Sequence, residues 1–253
     1  MKRTLFFALT ALLILSFHFY KNGTFRQEGK YDFPDASPEL FSGEKNVLAK
    51  KTFVYKSYEV KTGELIDNSF FDVSDLASGE KLVTLKAEGP KYTKNYEYVL
   101  DSNLETTGWR NTFSDEETSY IGRKEGDEIM VWGKLKGKDF DKTFKIDSLP
   151  LYINPKISLG RFVNSNAEYL VFWAMREDTV SPYKMEAFKR GTQTVLFNGQ
   201  PVETVRVYWA ASGVGAKFFN RTYLFRKSDG TFLLQEPTDG WSIELISEEE
   251  QKI

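Results

Sequence analysis

Carboxylates, lysines and tyrosines are the groups left to do chemistry on this chain, because the two most versatile side chains are missing from its body. There is no cysteine, and the single histidine is His18. Thiolate nucleophiles, thiolate-held metals and disulfides are excluded together. So are a Ser-His-Asp triad and a histidine-ligated metal anywhere beyond the N-terminal stretch. An enzyme built from these residues would use paired carboxylates, as glycoside hydrolases do. The acidic runs Asp115-Glu116-Glu117 and Glu248-Glu249-Glu250 read instead as solvated charge at a turn and near a chain end. Ser212-Gly213-Val214-Gly215 is followed by a strand pattern and not a helix, which is the wrong context for a phosphate loop. The expectation is a non-enzyme without cofactor or metal.

Two alternating apolar sets are the candidate ligand contacts. Tyr169, Val171, Trp173 and Met175 form one, and Val205, Val207 and Trp209, with Ala211, form the other. Together they would line a concave pocket for an apolar ligand, since ligand sites favour apolar and aromatic walls. An ordinary core explains the same alternation, because burying Val207 or Trp209 contributes about 1.5–3 kcal/mol each. Trp109 with Arg110, Trp132, and Tyr92, Tyr96 and Tyr98 suggest a sugar-stacking surface, but cross-strand aromatic pairing explains them as well and is the favoured reading.

These residues need strands to position them. Gln200 to Ser212, QPVETVRVYWAAS, alternates Val205, Val207, Trp209 and Ala211 against Thr204, Arg206 and Tyr208, the period of a half-buried strand. Asn198-Gly199 before it is a hairpin signal. From Thr52 the pattern predicts strands over 52–60, 64–73, 81–88, 92–100, 105–113, 118–124, 128–135 and 140–146. Strands resume over 168–176, 184–190, 193–197, 217–227, 231–236 and 242–246, flanking the Gln200 strand. Segments separated by so few residues pair antiparallel, because a parallel crossover needs about a dozen residues or more. Between the halves, Ser148 to Ser165 carries Pro150 and Pro155 and reads as a crossover with one helical turn after Pro155. Lys184 to Arg190 has helical propensity as well, but its neighbours favour a strand.

At the N-terminus, Met1-Lys2-Arg3 precedes the apolar run Leu5 to Tyr20, the layout of an export signal. Bulky Phe17, Phe19 and Tyr20 spoil the cleavage pattern, so the segment also reads as an inner-membrane anchor. Residues 21–51 read as a spacer, 52–247 as one all-β domain, and 248–253 as an acidic tail. With 34 Lys and Arg against 36 Asp and Glu no global field attracts nucleic acid. Thirteen tyrosines and 21 phenylalanines favour strands and broad apolar surfaces. Outer-membrane barrels keep one face apolar on every strand, which Lys91 to Glu97 does not.

The hairpin from Thr194 to Val207, TVLFNGQPVETVRV, and the later Tyr223 to Glu236, YLFRKSDGTFLLQE, carry a resemblance. With the meander and the proline-marked break, the chain from Thr52 to Ile246 resembles bacterial periplasmic domain-of-unknown-function families with an unclosed β-barrel. These are similar in shape to the lipoprotein carriers LolA and LolB. The resemblance implies a strongly curved antiparallel sheet whose concave face takes an apolar or lipid-like ligand, or a lipidated partner. It implies a periplasmic location, and only Leu149 to Ser165 is available to plug the concave face. The alternative is a structural or interaction protein of the envelope with a self-filled core, recognised through its sheet edges; a carboxylate hydrolase is the third.

Overall fold

The computed structural model describes residues 51–114, 117–213, 219–238 and 240–250. The signal or anchor expected at Leu5 to Tyr20 lies outside them, as does nearly all of the expected spacer. Among the described residues no helix is long and apolar enough to cross a membrane.

Eight strands come first: β1 (Lys51–Glu59), β2 (Leu65–Asp75), β3 (Lys81–Gly89), β4 (Tyr92–Leu100), β5 (Thr106–Phe113), β6 (Thr118–Glu125), β7 (Glu128–Leu135) and β8 (Lys138–Lys145). Helix α1 (Pro155–Asn164) follows, then β9 (Tyr169–Arg176), β10 (Ser181–Phe197), β11 (Gln200–Ala211), β12 (Asn220–Arg226), β13 (Phe232–Thr238) and β14 (Trp241–Glu250). All fourteen belong to one sheet in the order β8-β7-β6-β5-β4-β3-β2-β1-β14-β13-β12-β11-β10-β9. Every neighbouring pair is antiparallel. The sheet is an unclosed meander: β8 and β9 are its two edges, and β1 pairs with β14 near its middle, Lys51 standing opposite Glu250.

A strap over residues 150–153 ties the edge to the body. Trp173 N–H on β9 donates to the Pro150 carbonyl and Tyr152 N–H to the Trp173 carbonyl, each at 2.8 Å. On the strap's other side, Thr106 N–H at the start of β5 donates to the Leu151 carbonyl at 2.8 Å, and the Leu151 amide donates to Glu105 Oε1 at 3.1 Å. Backbone groups facing two ways are what a short extra strand would present. Side chains hold the same region: Asp147 accepts from the Trp173 indole at 2.7 Å and from Lys184 Nζ at 2.6 Å.

Helix α1 lies inside the curve of the sheet. Its sequence, PKISLGRFVN, has glycine, serine, asparagine and two β-branched residues, so propensity contributes little and burial holds the helix. Asn154 caps it through its side chain, which accepts from Lys156 N–H at 3.2 Å, and Pro155 occupies the tolerant first position. Seven of the ten residues, from Ile157 to Val163, are buried. At its C-terminal end Lys189 on β10 donates to the Ser165 carbonyl and lies over the Phe162 ring, a favourable place for a cation.

Four details differ from the sequence reading. The helix has ten residues, not one turn, because tertiary burial outweighs its weak propensity. Residues 184–190 and 193–197 are one strand, β10, with a register shift between Lys189 and Thr192 and Gly191 at φ 87°; a bulge imitates a turn in sequence. Strand β14 continues through the acidic run, where Glu248 Oε1 takes Arg226 Nη2 at 2.8 Å. Thr204 is fully buried, its hydroxyl donating to the Gln193 carbonyl at 2.8 Å.

Candidate ligand site on the concave face

Alternate residues of a strand share a face, and the inward residues of β1 and β2 change chemistry along their length. On β1 they run Phe53, Tyr55, Ser57; on β2, in the same direction, Val73, Phe71, Ser69, Asp67. The apolar ends form a cleft with Leu104, Ile157 and Gly160 of α1, and Phe232. Its cavity volume is about 30 Å3, room for a water or two, and Lys51, Lys156 and Asp229 supply its charges.

The polar ends are tightly bonded. Asp67 Oδ1 accepts from Ser57 Oγ at 2.9 Å and from Ser69 Oγ at 3.1 Å, and Oδ2 accepts from the Tyr92 hydroxyl at 2.8 Å. Ser57 stands opposite Ile243 on β14, which stands opposite Gln235 on β13. Gln235 is fully buried, and among the described residues neither its amide nitrogen nor its oxygen has a hydrogen-bond partner. Lys156 in the first turn of α1 faces this region from the helix. Burial pushes its ammonium down, and the charges of Asp67 and Glu177 only partly hold it up. Among the described residues its ammonium has no hydrogen bond or ion pair.

Two strands along from β2, in the rows of Phe71 and Val73, lies a tyrosine wall. Tyr96 and Tyr98 stack with ring centres 6.0 Å apart, and Asn111 Nδ2 donates to the Tyr120 hydroxyl at 2.7 Å. Burial pushes Tyr98 well above the ordinary tyrosine range, the Glu177 charge adds to this, and a hydrogen bond with Asn154 opposes it. Tyr96 is raised by burial first, and next by Glu177, with which it also hydrogen-bonds. The turn between β9 and β10 thus reaches across to β4.

The structure separates the two apolar sets expected to share a wall. Val205, Val207 and Trp209 face inward and are buried, Trp209 standing edge-on to Tyr223 at 5.2 Å. On β9 the buried residues are Leu170, Phe172 and Ala174, whereas Tyr169, Val171, Trp173 and Met175 occupy the opposite, half-buried face. Trp173 spends its indole on Asp147, and Tyr169 packs against Phe188 with ring centres 4.8 Å apart and planes tilted by 35°. The stretch YLVFWAM is apolar throughout, so its alternation carries no sign of which face is in. The other aromatic candidates are also divided: Trp109 is buried over Gly122, where a side-chain carbon would collide with the indole, and Trp132 is exposed. Sequence reasoning missed Lys156 and Gln235. The available signal was a lysine in a first helical turn, where the helix dipole disfavours a cation. Among the described residues no three His, Asp or Glu side chains group to hold a metal.

No protein-family model matches the sequence, and no curated protein matches it. Among solved structures, the β-barrel-like protein of domain of unknown function DUF1849 from Brucella abortus superposes with a TM-score of 0.57 at 9% identity, over 81% of this chain and 100% of that one. The two share a fold. The unclosed barrel implied by the sequence resemblance is therefore met in a bacterial domain of unknown function. The hypothetical lipoprotein YmcC from Escherichia coli aligns over 86% of this chain and 99% of its own at 9% identity, but its TM-score of 0.35 is too low for a common fold to follow.

Proposed function

We propose that this is an exported envelope protein that binds a small amphipathic ligand on the concave face of its open barrel and performs no chemistry on it. The observation that carries the reading is the change from apolar to polar along the inward rows of β1 and β2, with Lys156 at the boundary. Apolar walls with a few convergent polar groups are the ordinary make-up of a ligand site. The basic Met1-Lys2-Arg3 and apolar Leu5 to Tyr20 support export, to the periplasm of a bacterium or to its inner membrane. A second reading, a structural or interaction protein with a self-filled interior, is favoured by the seven buried residues of α1. They take space that an open carrier would give to a large acyl group.

The test is native mass spectrometry of the full chain purified without detergent from a bacterial envelope, followed by organic extraction. One amphiphile per chain supports the binding reading. An unliganded mass, together with failure to take up a fluorescent fatty acid, overturns it in favour of the interaction protein.

A further inference from the structure

The two edges of the sheet are finished differently. On β9 the strap closes the edge at Trp173, whose amide and carbonyl both bond to it. Strand β8 pairs with β7 alone. The two-residue turn of Lys136 and Gly137, both at positive φ, makes Leu135 and Lys138 a hydrogen-bonded pair, and from there the bonded residues alternate. Phe140, Lys142 and Phe144 therefore spend their backbone groups on β7, and the Ile146 amide keeps the alternation by donating to the Asp127 carbonyl at 2.8 Å. The N–H and C=O groups of Asp139, Asp141, Thr143 and Lys145 point off the edge, and among the described residues none of them has a backbone partner there.

Their side chains are exposed, and among the described residues Asp139, Asp141 and Lys145 enter no ion pair. Charges on an edge ordinarily keep strands apart, but these are spaced to meet their own copy. Antiparallel pairing about a two-fold axis at Lys142 is the register that engages all four outward residues. It sets Asp141 opposite Thr143, and Asp139 opposite Lys145, each twice by symmetry. On the inner face it puts Phe140 against Phe144, both half-buried and packed on the core; opposite charges and aromatic pairs directly across a ladder are both stabilising. The like-charged pair it creates is Lys142 with itself, and that ammonium already donates to the Thr179 carbonyl at 2.9 Å. A shift of the axis by one residue either way leaves an outward residue unpaired and sets Asp141 against itself or Asp139 against Asp147.

We infer that β8 is a dimerisation edge whose partner is β8 of a second copy of this chain, so that two open sheets join into one across Lys142. The pairing is independent of any ligand on the concave face. One strand pair buries less than a standard interface, so the association is weak and reversible. Because the chain has no cysteine, single introduced cysteines report the register. At the axis the two Lys142 Cα atoms would lie about 4.5 Å apart, within disulfide reach, and the two Asp139 Cα atoms about 20 Å apart. In the full chain, Lys142→Cys is expected to give a disulfide-linked dimer on mild oxidation, and Asp139→Cys to stay monomeric. With Lys142→Cys in place, Lys145→Asp should slow the cross-link about tenfold by setting like charges opposite one another at two places, and adding Asp139→Lys should restore it. These side chains are exposed or half-buried, so thermal melting should be unchanged throughout. Equal cross-linking at the two cysteines, or at neither, overturns the pairing, and so does a double reversal that fails to restore it.

Discussion

Gly160 of α1 and Gly230 of the turn between β12 and β13 meet backbone against backbone. A side-chain carbon at Gly160 would stand 2.6 Å from the Gly230 carbonyl oxygen, and one at Gly230 would lie closer still to the Gly160 carbonyl. Gly230 also sits at φ 69°, where other residues are strained. The helix is thus seated on the sheet with no room for adjustment. Gly160→Val is expected to destabilise the protein by about 1–3 kcal/mol through overpacking, measured as a lower urea midpoint. An unchanged midpoint would show that the helix can shift away from the sheet.

Val207 is fully buried on β11, between Lys189 of β10 and Tyr223 of β12. Val207→Asp buries a charge with no partner. Thermal melting should fall by roughly 10 °C or more, since each kcal/mol is worth about 2–4 °C in a domain of this size. Native-like melting would mean that this position opens to water.

Tyr55, Tyr98, Tyr152 and Tyr223 are buried, and burial is the largest cause of raised hydroxyl pKa values at all four. Tyr183 is pushed up to about 12 by the same cause. A raised value in the folded state means that the unfolded chain loses its protons first. Stability is therefore complete below about pH 10 and falls as pH climbs past it, by up to about 1.4 kcal/mol per pH unit for each such tyrosine. Urea unfolding between pH 8.5 and 11 reads the slope; a flat profile would place these hydroxyls in water.

Lys156 predicts the opposite slope on a smaller scale. Its ammonium is pushed down in the folded state, chiefly by burial, so the unfolded chain holds the proton more tightly. The resulting cost is present below the folded value and disappears as pH rises to the ordinary lysine range. Lys156→Met should accordingly raise the urea midpoint at pH 7, with a gain that shrinks toward pH 10. A lower midpoint at neutral pH would mean that the ammonium stabilises the fold.

At the strap, desolvation alone would raise the Asp147 carboxyl, but hydrogen bonds from Lys184, the Trp173 indole and the Leu149 amide outweigh it and hold the group below its usual range. A lowered carboxyl stabilises above its unfolded value and ceases to as pH falls through the folded one. Asp147→Asn should cost at most about 1 kcal/mol at pH 7, as exposed pairs do, and nothing in acid below both values. Urea midpoints of the two proteins that fail to converge there would assign the loss to packing.

Most of the meander was legible because its turns carry residues that turns require. Asn198-Gly199, at φ 50° and 74°, and Lys136-Gly137, at φ 50° and 75°, show the positive dihedrals of tight hairpins. The facing of β11 was largely legible too, since Arg206 is exposed opposite Val205 and Val207. That of β9 was not, because both of its faces are apolar and only the whole sheet decides which is inside. The helix was under-read for a related reason: nothing local to PKISLGRFVN favours ten helical residues, and the sheet around it does. Gln235 and Lys156 were invisible as site residues because each is one ordinary polar side chain until the fold faces it inward.

The pairing of β1 with β14 has a kinetic consequence. Every other ladder joins strands adjacent in sequence, so each half can zip up by short steps, but Lys51 meets Glu250 only across the whole domain. Long loops are slow to close, and until this one closes two sheet edges stand open side by side. Closing this ladder is therefore expected to be the slow, suturing step of folding, and a chain not yet sewn there is the one most exposed to capture by another strand.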